Sequence, residues 1–250
     1  LFQKHFHLSQ RSVASKGYYE TITWSFCNEK INEKFRENIE KIKIINPISS
    51  DFNVLRNSLY PNLIYYMEKN TNRGFGDQSL FEIGPLFTGK KPGEQKTVIC
   101  GVKKQSEDNN KQKNKNNLDI FEIKKDLVQT LYELGLNKSD FLIIDRSPSY
   151  YHPGISGSLI SKDEKVVIAY FGQLHPKIIE KTYGFEIFLE NLVDFKSSIK
   201  KTREGLILSD YQKSDRDFAF LADKNIQAQS IVDVIEAIDR KLVRNVKIFD

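Results

Sequence analysis

Apolar residues recur at helical spacing most clearly between Asp119 and Gly135. Ile120, Ile123, Leu127, Leu131 and Leu134 fall on one stripe, Asp119 and Glu122 form a D-x-x-E capping pattern, and Gly135 supplies the stop, which predicts a helix over 120–134. Ser58 is a good N-cap for a second helix reaching about Asn72. Its stripe is Leu59, Leu63, Tyr66 and Asn70, with Pro61 tolerated in the first turn. Residues 8–17 read as a short helix closed by Gly17, Asn28 can cap another through Phe35, and Ile231, Val234, Ile235, Ile238 and Leu242 mark one over about 226–242. Elsewhere the period is two. Tyr19 to Phe26 places Ile22, Trp24 and Phe26 on one face and Thr21, Thr23 and Ser25 on the other, as in a half-buried antiparallel strand. Further strands are predicted at 42–45, 80–87, 97–102, 141–145, 155–161, 165–172, 185–190, 217–222 and 245–250. Consecutive strands lack the helical crossovers that parallel pairing needs, so the fold class is α+β with an antiparallel sheet and flanking helices. The polar stretch 104–117 reads as a mobile surface loop, and the Lys- and Ser-rich stretch 196–205 as a boundary between a domain over 1–200 and another over 206–250. The second, a β-α-β start, fits a truncated ferredoxin-like domain.

Composition narrows this picture. Of 250 residues, 39% are hydrophobic and 28% charged, as in a soluble globular protein rather than a disordered one. No apolar run approaches the ~20 residues that span a bilayer, and Lys4, His5 and His7 interrupt any secretory leader. Cys27 and Cys100, the two cysteines, form no C-x-x-C, which argues against a zinc site or a disulfide framework and suits a reducing cytoplasm. The net charge of +5 permits nucleic-acid contact without requiring it. A start at Leu1 and a strand-like end at Val246–Asp250 suggest part of a longer chain.

The search for chemistry is largely negative. Gly74-Phe75-Gly76 opens like a dinucleotide loop, but Ser79 stands where the third glycine belongs, and no P-loop occurs. Gly154-Ile155-Ser156-Gly157 approaches a nucleophile elbow, but Ser158 stands where the pattern needs glycine. His152 and His175 each precede a proline with no ligand partner at metal spacing, so both read as turn residues. The abundant aromatics, 17 Phe and 11 Tyr, mostly alternate as core residues do.

The order of small motifs says more. Gly17-Tyr18-Tyr19-Glu20 with Ser25-Phe26 comes first, then Asn46-Pro47-Ile48-Ser49 and Leu55-Arg56-Asn57-Ser58-Leu59-Tyr60-Pro61. Asn70, Arg73 and Leu80-Phe81-Glu82-Ile83-Gly84 follow, then Asp119 to Lys124, Tyr151-His152-Pro153-Gly154 and Phe171-Gly172-Gln173-Leu174-His175-Pro176. Arg216-Asp217-Phe218-Ala219-Phe220 and Phe249-Asp250 close the set. This ordered set resembles the carboxy-terminal part of the β subunit of bacterial phenylalanine–tRNA ligase, from Gly17 to Asp250. Lys125, Ile155 and Gln212 depart from residues common in that family.

The resemblance implies a class II synthetase-like core, then a ferredoxin-like anticodon-binding domain. It implies a cytoplasmic, non-membrane enzyme in which the α subunit carries the active site. The assembly would be an (αβ)₂ heterotetramer that uses ATP and Mg²⁺ to charge tRNA with phenylalanine, with the editing module upstream of this chain. The class II ATP motifs, R-x-E and G-x-G-x-x-x-R, find only Phe35-Arg36-Glu37 and Gly74-Phe75-Gly76, the latter broken at Leu80. The expectation is a catalytically silent copy, with no catalytic residue, metal or cofactor of its own. Asn46, Arg56, Leu59 and Pro61 are candidates for building the interface with the α subunit, and Lys213, Arg216, Arg240, Lys241 and Arg244 for tRNA phosphate contacts. A free-standing RNA-binding or protein-interaction module remains the alternative, with a hydrolase at Ser156 a distant third.

Overall fold

The structure, a computed structural model, describes residues 2–35, 42–105, 118–162, 165–196, 211–239 and 242–249. It divides into two compact units, Leu1–Lys201 and Thr202–Asp250. In the first, helices α1 (Phe2–Ser15), α2 (Glu29–Asn32), α3 (Tyr60–Thr71), α4 (Ile120–Glu133) and α5 (Leu189–Lys196) surround the strands. These are β1 (Tyr19–Glu20), β2 (Phe26–Cys27), β3 (Val54–Leu55), β4 (Gln78–Phe87), β5 (Gln95–Lys104), β6 (Phe141–Ile144), β7 (Tyr151–Ser161), β8 (Val167–Leu174) and β9 (Thr182–Phe188).

Seven strands form one sheet in the order β1-β4-β5-β9-β8-β7-β6, and β2 pairs with β3 alone. Pairing within the large sheet is antiparallel except at one edge, where Tyr19 and Glu20 run parallel to Leu80 and Phe81. That exception follows from the long crossover through α2 and α3 between the two strands.

Period two sorts the sheet's side chains between two cores. Phe81, Ile99, Phe185 and Ile187 pack with Val13 of α1, Ile123, Leu127 and Leu131 of α4, and Leu192 of α5. Leu80, Val98, Cys100 and Val102 face the other way, against Tyr60, Leu63, Ile64 and Met67 of α3 and the rings of Phe35, Tyr150 and Tyr151. Asp119 caps α4 by accepting from the Glu122 backbone N–H at 2.9 Å, and Gly135 (φ 90°) ends it in the left-handed region. Lys103 of β5 ties α4 to the sheet through 2.7 Å contacts with both Glu122 and Asp126, its ammonium 4.7 Å from the Tyr18 ring centroid. Burial would lower the pKa of Lys103, but those two carboxylates outweigh it and raise it.

Several expectations are corrected. The strand expected over 19–26 is split into β1 and β2 with an irregular segment between, and 42–45 contributes only a Lys43–Val54 bridge. The predicted strand 185–190 turns into α5 at Leu189, which together with Leu192 is fully buried. Ser58 lies just outside α3, where its hydroxyl oxygen accepts from the Tyr60 N–H at 3.2 Å. Most of the polar stretch expected as a mobile loop, 106–117, lies outside the described residues.

In the second unit, α6 (Ala228–Ile238) is a helix as expected, with Val232 buried. The strands expected at 217–222 and 245–250 are not formed among the described residues, where Phe218, Phe220, Leu221, Ile248 and Phe249 are exposed. An extended segment becomes a strand only when a neighbour satisfies its backbone groups, and none is paired with these.

Candidate functional site

The segment between β1 and β2 inverts the usual amphipathic rule. Ile22 is 94% exposed and Trp24 57%, while the hydroxyls of Thr21 and Thr23 point into the protein. The inward side is polar because a buried ion pair lies beneath it. Arg56, which follows β3, sits 2.7 Å (Nη1) from Glu82 Oε1 of β4, and both side chains are almost wholly enclosed. Arg56 Nη1 also donates to Thr23 Oγ1 at 2.9 Å and the Trp24 carbonyl at 3.3 Å, while Nε donates to the Pro85 carbonyl at 2.9 Å. Asn62 of α3 adds donations to Thr23 Oγ1 at 3.0 Å and the carbonyls of Trp24 and Phe26 at 2.6 and 3.3 Å. The Thr23 hydroxyl in turn donates to Glu82 Oε2 at 2.7 Å. Between backbone bonds at its two ends, Thr21–Ser25 is therefore held by side chains rather than by a strand ladder.

Outside this support the exposed side chains are apolar. Trp24 stacks on Phe26, ring centroids 6.4 Å apart. Phe26 pairs with Leu55, Cys27 with Val54, and Val54 with Lys43, so the segment carrying Ile45 (95% exposed) and Ile48 (80%) joins the same small ladder. Isolated apolar residues on a surface need no explanation, but a set this exposed on connected segments marks an interaction face.

On the α3 face of the sheet, register aligns Glu82, Cys100, Glu186 and Tyr170 across β4, β5, β9 and β8. Glu186 has no cationic partner among the described residues. Its carboxylate accepts from Tyr150 Oη at 2.8 Å, Ser58 Oγ at 3.3 Å and Tyr151 Oη at 3.5 Å, and Tyr151 shares a 2.6 Å hydroxyl contact with Tyr60. Burial raises the Glu186 pKa to about 7 against the lowering effect of those donors. Burial also pushes Cys27 up to about 12, and the tyrosines and Cys100 well above their ordinary values. Phe35, Tyr60, Tyr150 and Tyr151 fill the space over this row with mutually packed rings.

Three of the sequence-derived interface candidates do not offer a contact surface. Arg56 is 2% exposed, Leu59 0%, and Pro61 is buried within the first turn of α3, so these residues can only support a surface formed by others. Asn46 is exposed beside Ile45. Among the basic candidates, Lys213 lies 3.1 Å from Asp215, and Arg216 donates to Ser214 Oγ and the Asp215 carbonyl rather than pairing with Asp217. Arg244 is exposed, and Arg240 and Lys241 lie outside the described residues. His152 and His175 each accept a backbone N–H two residues onward through Nδ1 at 3.1 Å, closing their turns. Ser156 Oγ donates to the His152 carbonyl and lies 2.6 Å from Ser147 Oγ, and no histidine ring hydrogen-bonds it among the described residues, so the structure gives the elbow reading no base. Sequence reasoning missed Glu82, Glu186 and the outward turn of Ile22 and Trp24. The available signal was a carboxylate at inward parity in each of the apolar runs Leu80–Ile83 and Phe185–Ile187.

Comparison with known proteins gives this arrangement a family. Residues 1–187 match the family model described as "Phenylalanyl tRNA synthetase beta chain CLM domain", and 209–250 match "Ferredoxin-fold anticodon binding domain". The phenylalanine–tRNA ligase β subunit of Bartonella henselae is 35% identical over 97% of this chain, and that of Paramagnetospirillum magneticum is 34% identical over 96%. The chain spans 32% and 31% of their respective lengths. Among solved structures, a pyrrolysyl-tRNA synthetase from Desulfitobacterium hafniense superposes with a TM-score of 0.57. The match covers 78% of this chain and 66% of that one at 14% identity, a likeness of fold alone. With both segments matched in order and full-length relatives above 30% identity, the chain belongs to the phenylalanine–tRNA ligase β-subunit family.

Proposed function

We propose that this chain is the scaffold and tRNA-handling part of a phenylalanine–tRNA ligase β subunit, docking the α subunit without an active site of its own. The observation that carries this reading is the inverted segment 21–25, whose threonines face a buried ion pair while Ile22 and Trp24 face outward. Burying apolar surface stabilises association by about 25 cal/mol per Å² before the costs of binding. The occupant is the α subunit, in an (αβ)₂ heterotetramer located in the cytoplasm, and Asn46, Ile45 and Ile48 extend the contact. Arg56, Leu59 and Pro61 build that face from beneath. The reaction charges tRNA with phenylalanine, and its ATP and Mg²⁺ act at the α subunit. On the β side the sheet face that could hold a substrate is filled by Tyr60, Tyr150 and Tyr151, which supports a silent copy of the synthetase fold. Lys213, Arg216 and Arg244, with Arg240 and Lys241 beside them in sequence, contact tRNA phosphates.

The test uses the full-length β subunit co-expressed with its α subunit. Co-purification and phenylalanine charging that needs both chains are expected. Replacing Ile22 and Trp24 together by serine should leave β folded and weaken α association by at least about tenfold, since interface aromatics are frequent binding hot spots. An unchanged affinity would remove this edge from the interface.

A further inference from the structure

We propose that Arg56 and Glu82 are positioning residues for the docking edge: the buried pair latches Thr21–Ser25 so that Ile22 and Trp24 are presented in one fixed arrangement. This rests on the reading that the edge docks the α subunit, and it adds the device that shapes the edge.

The segment needs such a device. Between β1 and β2 no strand among the described residues runs alongside Ile22, Thr23 and Trp24, Ile22 is 94% exposed, and the stacking of Trp24 on Phe26 is the outward side's contribution to holding it. What remains is the polar network beneath. Two backbone bonds pin its ends, Thr21 N–H to the Phe81 carbonyl at 2.7 Å and Arg56 N–H to the Ser25 carbonyl at 3.0 Å. The hydrogen bonds of its middle, at Thr23 and Trp24, go to Arg56, Asn62 and Glu82. The Thr23 hydroxyl accepts from Arg56 and Asn62 while donating to Glu82, which uses its full hydrogen-bonding capacity. The Trp24 carbonyl likewise accepts from Arg56 and Asn62. A guanidinium serves because its rigid fork reaches Glu82, Thr23, Trp24 and Pro85 from one plane, which a lysine ammonium cannot do. Room for that plane is left by Gly84, where a Cβ would stand 2.5 Å from Arg56 Nη2.

A well-packed apolar replacement of a buried ion pair is often neutral or stabilising, whereas removal of one partner leaves a costly unpaired charge. The pair's distinguishing contribution is then conformational: without it, the segment samples several arrangements and only a fraction can dock. Apparent affinity falls by that fraction, so a tenth-populated edge binds about tenfold more weakly.

The experiment uses full-length β subunit carrying Arg56→Met with Glu82→Met, or Arg56→Lys alone, beside the wild type. It measures thermal unfolding, hydrogen exchange of peptides covering 21–27 in free β, and affinity for separately purified α subunit. Expected for the double variant are an unfolding temperature close to wild type, faster exchange confined to 21–27, and about tenfold weaker α binding. Arg56→Lys keeps the charge pair and loses the fork, so it should show the same exchange and affinity changes. A pair that only balances buried charge would be rescued by lysine. If the double variant does not fold, the lysine variant decides. Wild-type exchange over 21–27 in either folded variant overturns the latch, as does wild-type affinity in the lysine variant when the Ile22/Trp24 serine variant binds the α subunit weakly. If exchange quickens but the Ile22/Trp24 serine variant also binds the α subunit normally, the latch stands and the docking reading falls.

Discussion

Glu186 carries the sharpest consequence at the scale of a residue. Its carboxyl is surrounded by Ser58 from before α3, Tyr60 of α3, Tyr150 and Tyr151 at the start of β7, Cys100 of β5 and Tyr170 of β8, hydroxyl and thiol groups rather than cations. With its folded pKa raised to about 7 from an ordinary value near 4.5, the native state holds a proton that the unfolded chain releases over that range. Stability contributed by the neutral form is therefore complete below about pH 4.5 and declines as pH rises towards 7, by on the order of 3 kcal/mol in total. Glu186→Gln keeps a neutral acceptor for Tyr150 and should flatten that decline. Thermal unfolding of both proteins from pH 5 to 8 should show wild type losing stability relative to the glutamine variant as pH rises, and parallel curves would mean that Glu186 is ionised throughout. Sequence reasoning passed over this residue because a single Glu in Phe185-Glu186-Ile187 looks like an ordinary edge charge. The register with Cys100 and Tyr170 shows its enclosure.

Elements were legible where their signals agreed. In α4 the apolar stripe, the Asp119 cap and the Gly135 stop all agree, and the helix runs from Ile120 to Glu133 as expected. In α1 they do not agree: its inward face is His5, Ser9, Ser12 and Val13, so apolar periodicity showed only the second half of a helix that starts at Phe2. The hydroxyl of Ser9 is satisfied by the His5 carbonyl at 2.7 Å, which lets a polar residue occupy a core position. The segment 21–25 misled in the opposite sense, because alternation is blind to which side is inside, and a buried Arg56–Glu82 pair made the polar side the inner one. The same contrast sets a prediction for α4. Leu127 is fully buried at the helix centre, so Leu127→Ala should cost about 2–5 kcal/mol. Asp119→Ala removes one cap hydrogen bond and should cost about 1 kcal/mol. Urea unfolding of the two variants would measure the gap, and equal losses would mean that α4 is held by its end rather than by its stripe.

At the scale of the whole molecule, the two units were read with different success for a physical reason. The first closes a seven-stranded sheet between two helical layers, so its strands satisfy one another and the sequence periods are expressed. The second shows one helix, α6, whose Val234 and Ile238 are exposed, and its strand-like stretches lack paired neighbours among the described residues. Its proposed contribution to tRNA binding therefore rests on charge rather than on a groove. Lys213 and Arg216 are exposed and, among the described residues, engaged with near neighbours in sequence, and exposed ion pairs such as Lys213–Asp215 are worth little in water. A phosphate can displace such partners at small cost. Each phosphate contact releases condensed counterions and adds about 0.7–0.9 to the slope of log affinity against log salt. Replacing Lys213, Arg216 and Arg244 by alanine in the full-length αβ enzyme should lower that slope by about 2–3 for tRNA while leaving α association intact. An unchanged slope would confine these side chains to solvation and move the tRNA contacts to Arg240, Lys241 or another surface. A lowered slope with undiminished charging at low salt would show that the second unit supplies affinity while orientation of the acceptor end is set elsewhere.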